Sequence, residues 1–333
     1  MASRIRVGDS TFSRVDTPAD FTNLLKENLP DSDPLIVKAD WVAMEEASPR
    51  SLEALRCVAE AARGRVIVAE GHLLWRPREL EPNGLRFMAD GVELDWNGLL
   101  EGKGWRWLLK NPDWGWFIDG PHWSHLMREE RLWLKKFGYL DFFKDHDIEY
   151  VNATDEVWAG RVADKRIVKE AVESRFPPVF TDKLYGFVPE KLFRYRGSSL
   201  VSLSKRKEYQ SFTMKNMFGL IPDPVRAWWH GSGNRRLARS ILDINKVYGS
   251  LFELVGIFEA PRSDGSNPFT RDVAVSGCIA QLDAMLNHVT GFDIEKAAYI
   301  SSGNNMFGAF DSELLKEARA YLRDWFPAPK KIS

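Results

Sequence analysis

Cysteine is scarce in this chain of 333 residues, which contains only Cys57 and Cys278. An iron–sulfur cluster, a structural zinc site or a disulfide framework each needs more thiols than these two. Iron–sulfur redox chemistry within one chain is therefore excluded, and we expect no bound metal and no cofactor. His122 and His125 are three residues apart, but without a third ligand nearby they are weak evidence for a metal site.

The chain also lacks an excess of charge of one sign and a long apolar run. Its 46 Lys and Arg residues nearly balance its 47 Asp and Glu residues, which leaves a formal net charge of -1 and no global field for nucleic acid or anionic membrane. No apolar run approaches the roughly 20 residues of a membrane span, and Met1 to Pro34 has no signal-peptide pattern. We therefore expect a cytoplasmic protein with no nucleic-acid or membrane partner, in which any recognition of an anion is local.

A βαβ unit is the clearest pattern in the sequence. The segment Pro34 to Asp40, a short apolar run bounded by proline and aspartate, predicts a buried strand. Ser48-Pro49 is typical of a helix start, and a second buried strand ends at Glu70. Such strands are parallel, and their carboxyl ends face the ligand crevice. We therefore expect Asp40 and Glu70 to end adjacent or near-adjacent strands and to open on one crevice.

The remaining sequence alternates between strand and helix patterns, which favours an α/β fold with a mixed, largely parallel sheet flanked by helices. Strands are predicted at residues 148–152, 198–204, 250–258 and 271–276, and helices at residues 161–174, 212–219, 237–248, 279–289 and 312–325. Tryptophan is concentrated in residues 75–145, which indicate a Trp-rich insertion or lid. That insertion separates an N-terminal part of the α/β domain, residues 1–74, from the remainder, residues 146–333.

A cationic cluster follows the predicted strand at residues 198–204. Lys205-Arg206-Lys207 comes first, then Lys215-Asn216 and, after a turn, His230. Ammonium groups and the free N–H groups of a helix start bind anions, although a solvated charged face is the alternative interpretation. Because the cluster directly follows a strand of an α/β sheet, we predict an anion site completed by Lys38.

Two further features have more than one interpretation. Glu70 could act as a general base or pair with a substrate ammonium, or it could be an N-cap or a salt-bridge partner. The Trp-rich insertion could stack on a substrate or enclose a cation, or it could be core and interface. Nucleotide-binding motifs and a Gly-x-Ser-x-Gly elbow are missing from the sequence, so hydride transfer and a serine or cysteine triad are unsupported.

Several segments resemble the family known as domain of unknown function 362. The similar segments are Val37-Lys38-Ala39-Asp40-Trp41, Ser48-Pro49-Arg50, Val68-Ala69-Glu70-Gly71 and Leu203 to Pro222, and the strongest match within them is Met214 to Pro222. His230 and Asp283 fit the pattern as well. The family is similar in outline to nickel-dependent lactate racemase, so the resemblance implies a mixed α/β fold and an active-site role for the lysines.

The chain departs from that family in three respects. It lacks the cysteine clusters that hold iron–sulfur centres in many relatives, and Tyr209 stands where the family usually has a histidine. Val255-Gly256-Ile257 replaces the usual Asp-Gly-Ile segment. The resemblance therefore implies a retained lysine scaffold without the redox and metal parts.

These observations favour an enzyme of polar, metal-free chemistry on a small anionic metabolite, in specialised metabolism. Displacement or elimination of an anionic leaving group, including ring closure by an internal amine, is preferred because converging cations stabilise a departing negative charge. The alternatives are a proton-transfer isomerase or racemase, and a cofactor-free binding protein or partner subunit that uses the Trp-rich insertion as its interface, with a protein partner or in a homo-oligomer. The predicted catalytic residues are Glu70, His230 and Lys215, and the predicted substrate-binding residues are Lys38, Asp40, Lys205, Lys207, Tyr209 and Asn216.

Overall fold

The computed structural model describes residues 4–41, 49–73, 87–89, 91–95, 98–99, 102–112, 122–206, 212–262, 269–294, 297–304 and 306–326. Its strands are β1 (Arg4–Val7), β2 (Ser10–Val15), β3 (Leu35–Lys38), β4 (Val66–Glu70), β5 (Phe87–Ala89), β6 (Val92–Leu94), β7 (Glu149–Asn152), β8 (Ser199–Lys205), β9 (Glu253–Pro261) and β10 (Arg271–Ser276).

The α-helices lie between these strands and after them. They are α1 (Pro18–Asn28), α2 (Pro49–Ala61), α3 (Gly102–Leu108), α4 (His122–Lys136), α5 (Tyr139–Asp145), α6 (Ala153–Trp158), α7 (Lys165–Glu173), α8 (Glu190–Phe193), α9 (Thr213–Asn216), α10 (Arg226–His230), α11 (Leu237–Leu251), α12 (Ile279–Val289), α13 (Ala298–Gly303) and α14 (Ser312–Leu322). Short 3₁₀ helices cover Asp182–Gly186, Met217–Leu220 and Ser232–Asn234. In the described residues no helix is both long and apolar enough to cross a bilayer.

Eight of these strands form one mixed sheet in the order β1-β2-β10-β9-β8-β3-β4-β7, while β5 and β6 form a separate hairpin. The strands from β9 through β8, β3 and β4 to β7 are parallel, and β10, β2 and β1 continue the sheet in antiparallel pairing. The predicted α/β fold with a mixed, largely parallel sheet is therefore confirmed.

The chain reverses its direction across the sheet between β3 and β8. From β3 it proceeds to β4 and then β7 on one side, whereas β8 pairs with the other edge of β3 and leads to β9. The connections after β3 and β8 consequently diverge, and a crevice forms at the carboxyl ends of these two strands. Lys38 pairs with Ser202 across this point.

Apolar side chains cover both faces of the parallel strands. Along each strand, successive side chains point alternately into one core and then the other. Val37, Val68 and Val201 face the core that contains α1 and α2, which we call the α2 face. Their neighbours Ile36 and Leu200 face the core that contains α7 and α11, which we call the α11 face. Helices therefore cover the sheet on both sides.

Several predicted elements match closely, and two differ for local reasons. The strand at residues 271–276 and the helix at residues 279–289 have the predicted bounds. The predicted strand at residues 250–258 begins instead at Glu253, because Ser250 and Leu251 continue α11 and the Phe252 N–H donates to the carbonyl of Tyr248. The predicted helix at residues 212–219 is divided into α9 and a 3₁₀ helix.

The first 34 residues contain structure that the periodicity did not indicate. The β1 and β2 strands form a hairpin at the antiparallel edge of the sheet. Helix α1 begins with a capping box, in which Thr17 and Asp20 bind each other's backbone N–H groups, and Pro18 occupies the first helical position. This capping signal was present in the sequence and marks the helix start.

The described part of the Trp-rich segment packs against the sheet. The Trp133 side chain is 1% exposed and stacks on Tyr139, with ring centroids 5.6 Å apart. Trp41, which follows β3, contacts both rings. Residues of α4 and α5 are therefore part of the α2-face core.

Candidate functional site

A small cavity opens at the carboxyl ends of β3 and β4, next to the segment that follows β8. We call it the crevice cavity, and its volume is about 80 Å³. It is lined by Lys38, Trp41, Glu70, Leu73, Lys215, Asn216, Phe218, Gly219, Arg226 and His230. Five of the nine residues predicted for the site therefore line one cavity.

Lys38 and Glu70 form a buried ion pair in the wall of the cavity. Both residues are buried, and the distance from Lys38 Nζ to Glu70 Oε1 is 2.8 Å. Lys38 also donates to Asn216 Oδ1 at 3.0 Å and to the carbonyl of Ala39. Burial lowers the Lys38 pKa, while the charges of Glu70 and Asp40 oppose that shift. All three ammonium protons have protein acceptors, so Lys38 contributes charge to the cavity without an unused donor.

The Glu70 carboxylate is held by backbone as well as by the ammonium of Lys38. Oε1 accepts the Gly71 N–H at 2.9 Å, and Oε2 accepts the Trp41 N–H at 3.2 Å. Both carboxylate oxygens are therefore occupied by donors from the protein. The geometry thus favours a salt-bridge partner over a general base, which were the two interpretations of the sequence.

Two glycines allow the segment after β8 to approach the ion pair closely. A Cβ atom on Gly219 would lie 2.8 Å from Lys38 Nζ and 3.0 Å from Glu70 Oε1. A Cβ atom on Gly71 would lie 2.2 Å from the carbonyl oxygen of Gly219. The wall of the cavity therefore requires glycine at both positions.

Asn216 connects the two strands that border the crevice. Its Nδ2 donates to the Lys38 carbonyl and the Leu203 carbonyl, each at 3.2 Å, and to Ser202 Oγ at 3.1 Å. Since its Oδ1 accepts from the Lys38 ammonium, the buried amide uses both ends. The side chain that was predicted to bind substrate is committed to holding β3, β8 and α9 together.

Arg226 binds the loops around the cavity. Its Nε donates to the Ile221 carbonyl at 2.8 Å, and its Nη2 donates to the carbonyls of His72 and Gly219, each at 2.9 Å. Nη1 lies 3.6 Å from Asp223 Oδ2. The guanidinium is only 7% exposed and adds a fixed positive charge to the wall.

His230 is a neutral imidazole at pH 7. Burial, together with the positive charges of Lys215 and Arg226, lowers its pKa to about 4, although a hydrogen bond with Asn234 opposes the shift. Nδ1 lies 3.3 Å from Asn234 Oδ1, an acceptor, so this nitrogen carries the proton and Nε2 carries the lone pair. The Phe218 ring meets the imidazole edge-on at 4.8 Å.

The charges that line the cavity do not balance. Among the described lining residues, Lys38, Lys215 and Arg226 are cationic and Glu70 is the one carboxylate. Since His230 is neutral, these described residues carry two excess positive charges. Such a cavity favours an anion.

Asp40 and Lys205 lie at the same edge of the sheet but outside the cavity lining. Lys205 follows Leu203 by two residues in β8, so both side chains lie on the α2 face of the sheet. Lys38 follows Ile36 by two residues in β3, so both of these lie on the α11 face. The Lys205 ammonium donates to the Asp40 carbonyl at 3.4 Å and to Ser51, and its backbone N–H donates to Asp40 Oδ2 at 3.3 Å. The expectation that Lys205 joins Lys215 is therefore not met. Lys207 and Tyr209 lie outside the described residues.

The strand-end prediction for the two acids is confirmed. β3 and β4 pair in parallel, Glu70 ends β4, and Asp40 follows β3 by two residues. Lys205 ends β8, the other neighbour of β3, so the three residues share one edge of the sheet.

A buried histidine beside the cavity was missed by sequence reasoning. His72 is fully buried, and its Nδ1 lies 2.9 Å from Glu130 Oε2, whose other oxygen accepts from the Tyr150 hydroxyl at 3.0 Å. His72 Nε2 has no hydrogen-bond partner within the part of the chain that the structure describes. His72 follows Glu70-Gly71 directly, which is a weak signal, but Glu130 comes from a helix 58 residues away and no local pattern connects the two.

A larger cavity of about 430 Å³ lies at the other end of the strands, where β9 begins and β10 ends. Its charged lining consists of Arg175 and Glu253. Cys278 also lines it, but burial and the adjacent Asp9 raise the pKa of this thiol to about 11. The larger cavity therefore offers no group poised for chemistry at neutral pH, and the crevice cavity is the better candidate despite its size.

Comparison of the chain with protein-family models, curated proteins and solved structures found no match in any of the three. The family resemblance drawn from the sequence stays an expectation, and the function rests on the geometry of the crevice cavity.

Proposed function

We propose that this chain is an enzyme that binds a small anionic metabolite in the crevice cavity and catalyses displacement or elimination of an anionic leaving group. The observation that carries the proposal is the excess of cations, Lys38, Lys215 and Arg226, over the carboxylate of Glu70 among the lining residues that the structure describes. Cations fixed in a partly dehydrated site stabilise negative charge as it develops on a departing group.

Lys215 and His230 have the central roles in this proposal. Lys215 stabilises the departing anion, and His230 Nε2 accepts the proton of the attacking group. Burial and the positive charges of Lys215 and Arg226 together lower the imidazole pKa to about 4, and a bound anion offsets the charges, which makes His230 a stronger base once substrate is present.

Ring closure by an internal amine fits the same residues. The amine nitrogen forms the new bond to carbon and passes its proton to His230, while the leaving group departs with the electron pair of the broken bond. Lys38 and Glu70 hold the wall of the cavity in this scheme, and Arg226 holds its loops.

The isomerase and partner-subunit alternatives stay predictions of the sequence, because no contact among the described residues favours either over displacement. The proposal retains the cytoplasmic location, the metal-free and cofactor-free chemistry, and the absence of nucleic-acid and membrane partners.

Sulfate binding tests the anion site without knowledge of the substrate. We expect Lys215→Met to weaken the sulfate affinity about tenfold to a hundredfold, since a hydrogen bond to a charged group contributes about 1.5–3 kcal/mol. Calorimetric titration at constant ionic strength measures this, with thermal melts to verify folding.

Arg206→Met is the matched control, because Arg206 also follows β8 but interacts with Asp272 and does not line the cavity. Its sulfate affinity should equal that of the wild type. If Lys215→Met and Arg206→Met bind sulfate as tightly as the wild type, the anion site is not where we place it and the proposed function loses its support.

A further inference from the structure

Asp283 of α12 is a fully buried carboxylate directed at the helix that carries Lys215. Its Oδ1 accepts the Thr213 N–H at 2.9 Å and the Thr213 hydroxyl at 2.6 Å, and its Oδ2 accepts the Met214 N–H at 3.0 Å. Asp283 itself does not line the crevice cavity. The proposed chemistry therefore leaves this residue without a role.

Helix α9 depends on this carboxylate for its N-terminal cap. The helix has four residues, and its own N-cap residue, Phe212, makes no side-chain cap hydrogen bond. One helical turn is unstable in isolation, because nucleation fixes several dihedral angles for a single hydrogen bond. The carboxylate satisfies N–H groups that the turn leaves unpaired. The next two residues along the chain are Lys215 and Asn216.

The three hydrogen bonds are strongest when the carboxylate is ionised. A protonated carboxyl group has lost its charge and keeps only part of its acceptor capacity, so its contacts with the Thr213 and Met214 N–H groups and with the Thr213 hydroxyl are weaker. Burial raises the Asp283 pKa to about 7, against the lowering effect of these donors. The balance between the two forms therefore changes near neutral pH.

Tyr299 of α13 is the titratable neighbour of Asp283, and the Asp283 charge contributes to its raised pKa. Other charged groups in this region have partners of their own: Glu259 of β9 pairs with Arg271 of β10, Asp272 of β10 pairs with Arg14, and Lys246 of α11 pairs with Asp243. Burial and the positive charge of Arg319 of α14 lower the pKa of His288, near the end of α12.

We propose that Asp283 is a positioning residue for the anion site: its carboxylate caps the turn that carries Lys215, and its protonation loosens that turn. This inference rests on the proposed function and adds a regulation of the same site by pH. Anion affinity should rise as the pH increases through neutrality.

The sign of this dependence separates it from other titrations. Loss of a proton from a lysine in the cavity would weaken anion binding as the pH rises, which is the opposite direction. In the empty cavity His230 titrates at about pH 4, below the relevant range, and a rise in its pKa on anion binding would also weaken binding as the pH increases. Sulfate is the appropriate probe because its charge stays constant across this range, whereas that of inorganic phosphate changes.

The experiment is calorimetric titration with sulfate between pH 5.5 and 8.5 on the wild type, Asp283→Asn and Asp243→Asn. We expect wild-type affinity to increase about tenfold across this range, and Asp283→Asn to bind weakly with a flat profile. Asp243→Asn is the matched control, since Asp243 is an equally buried carboxylate that accepts the Phe180 N–H at 2.8 Å, away from α9. It should retain the wild-type pH profile.

Hydrogen exchange at the Thr213 and Met214 amides keeps the proposal testable if Asp283→Asn folds poorly. In the wild type, protection of these amides, corrected for the intrinsic exchange rate, should fall as the pH drops below 7. Thr213→Val, which removes one of the three hydrogen bonds, should lower protection without unfolding the chain.

The outcomes distinguish the two proposals. A wild-type profile in Asp283→Asn would overturn the positioning role and leave the anion site intact. No sulfate binding by the wild type at any pH would contradict the proposed function, while amide protection that does not change with pH would contradict the role of Asp283 by itself.

Discussion

At the residue scale, His230 couples the charge of the cavity to the stability of the fold. Its pKa in the folded chain is about 4, below the ordinary value of 6.5. The unfolded chain therefore binds this proton first as the pH falls, so the stability contributed by the neutral imidazole is present above pH 6.5 and is lost between about pH 6.5 and 4.

We expect His230→Gln to flatten that part of the stability profile. The difference between wild type and variant in the free energy of unfolding should change by at most about 3 kcal/mol between pH 6.5 and 4, from the size of the pKa shift. Urea denaturation at several pH values measures it. Parallel curves for the two proteins would show that the imidazole is not held neutral by its surroundings.

The Lys38–Glu70 pair gives a second prediction at this scale. Glu70→Gln leaves the buried ammonium without its closest counter-charge and should destabilise the fold by about 3–5 kcal/mol. Combination with Lys38→Met should cost less than the sum of the single changes, because the two side chains contact each other. A double-mutant cycle in urea measures the coupling, and additive effects would refute the ion pair.

At the scale of elements, the wall of the cavity depends on how closely two loops approach. The carbonyl oxygen of Gly219 lies where a Gly71 Cβ would be, and backbone cannot move aside as a flexible side chain does. The loop after β4 and the 3₁₀ helix after α9 are consequently fixed against each other.

Gly71→Ala tests this contact. We expect a loss of about 2–4 kcal/mol of stability, as for overpacking in a rigid interior, together with weaker sulfate binding because the wall is displaced. Gly186→Ala is the matched control, since a Cβ there meets nothing within 4 Å. Thermal and urea denaturation of both variants provide the comparison, and equal stabilities would contradict the close approach.

At the scale of the whole molecule, α4 and α5 belong to the core although they lie in the tryptophan-rich segment. Trp133 is buried against Trp41 and Tyr139, whereas Leu132, the preceding residue in α4, is 45% exposed. A lid that moved independently of the sheet would not bury a side chain of this size against β3 and α2.

Trp133→Ala should therefore destabilise the entire molecule by about 3–5 kcal/mol, the usual cost of removing a large buried aromatic side chain. Leu132→Ala should change stability by only about 0.5 kcal/mol. We expect one cooperative unfolding transition in each case, monitored by circular dichroism and by tryptophan fluorescence. A separate early transition in Trp133→Ala would indicate that this segment folds as an independent unit.

The sequence by itself determined the α/β architecture, the parallel pairing of β3 with β4 and the location of Glu70 at a strand end. Apolar runs and helix caps act over a few residues, so they are visible in a single sequence. The same locality explains the grouping of Lys215, Asn216 and His230, which lie within 16 residues of one another along the chain.

Only the tertiary structure decided which groups share the cavity and what each one does there. Lys205 and Lys38 end neighbouring strands, but side chains alternate between the two faces of a sheet, and the relative register of β3 and β8 places these lysines on opposite faces. Lys38 and Trp41, which donate to Glu70, and Asp283, whose carboxylate caps α9, are distant in the sequence from the groups they bind. Such contacts depend on packing between elements, which no local pattern encodes.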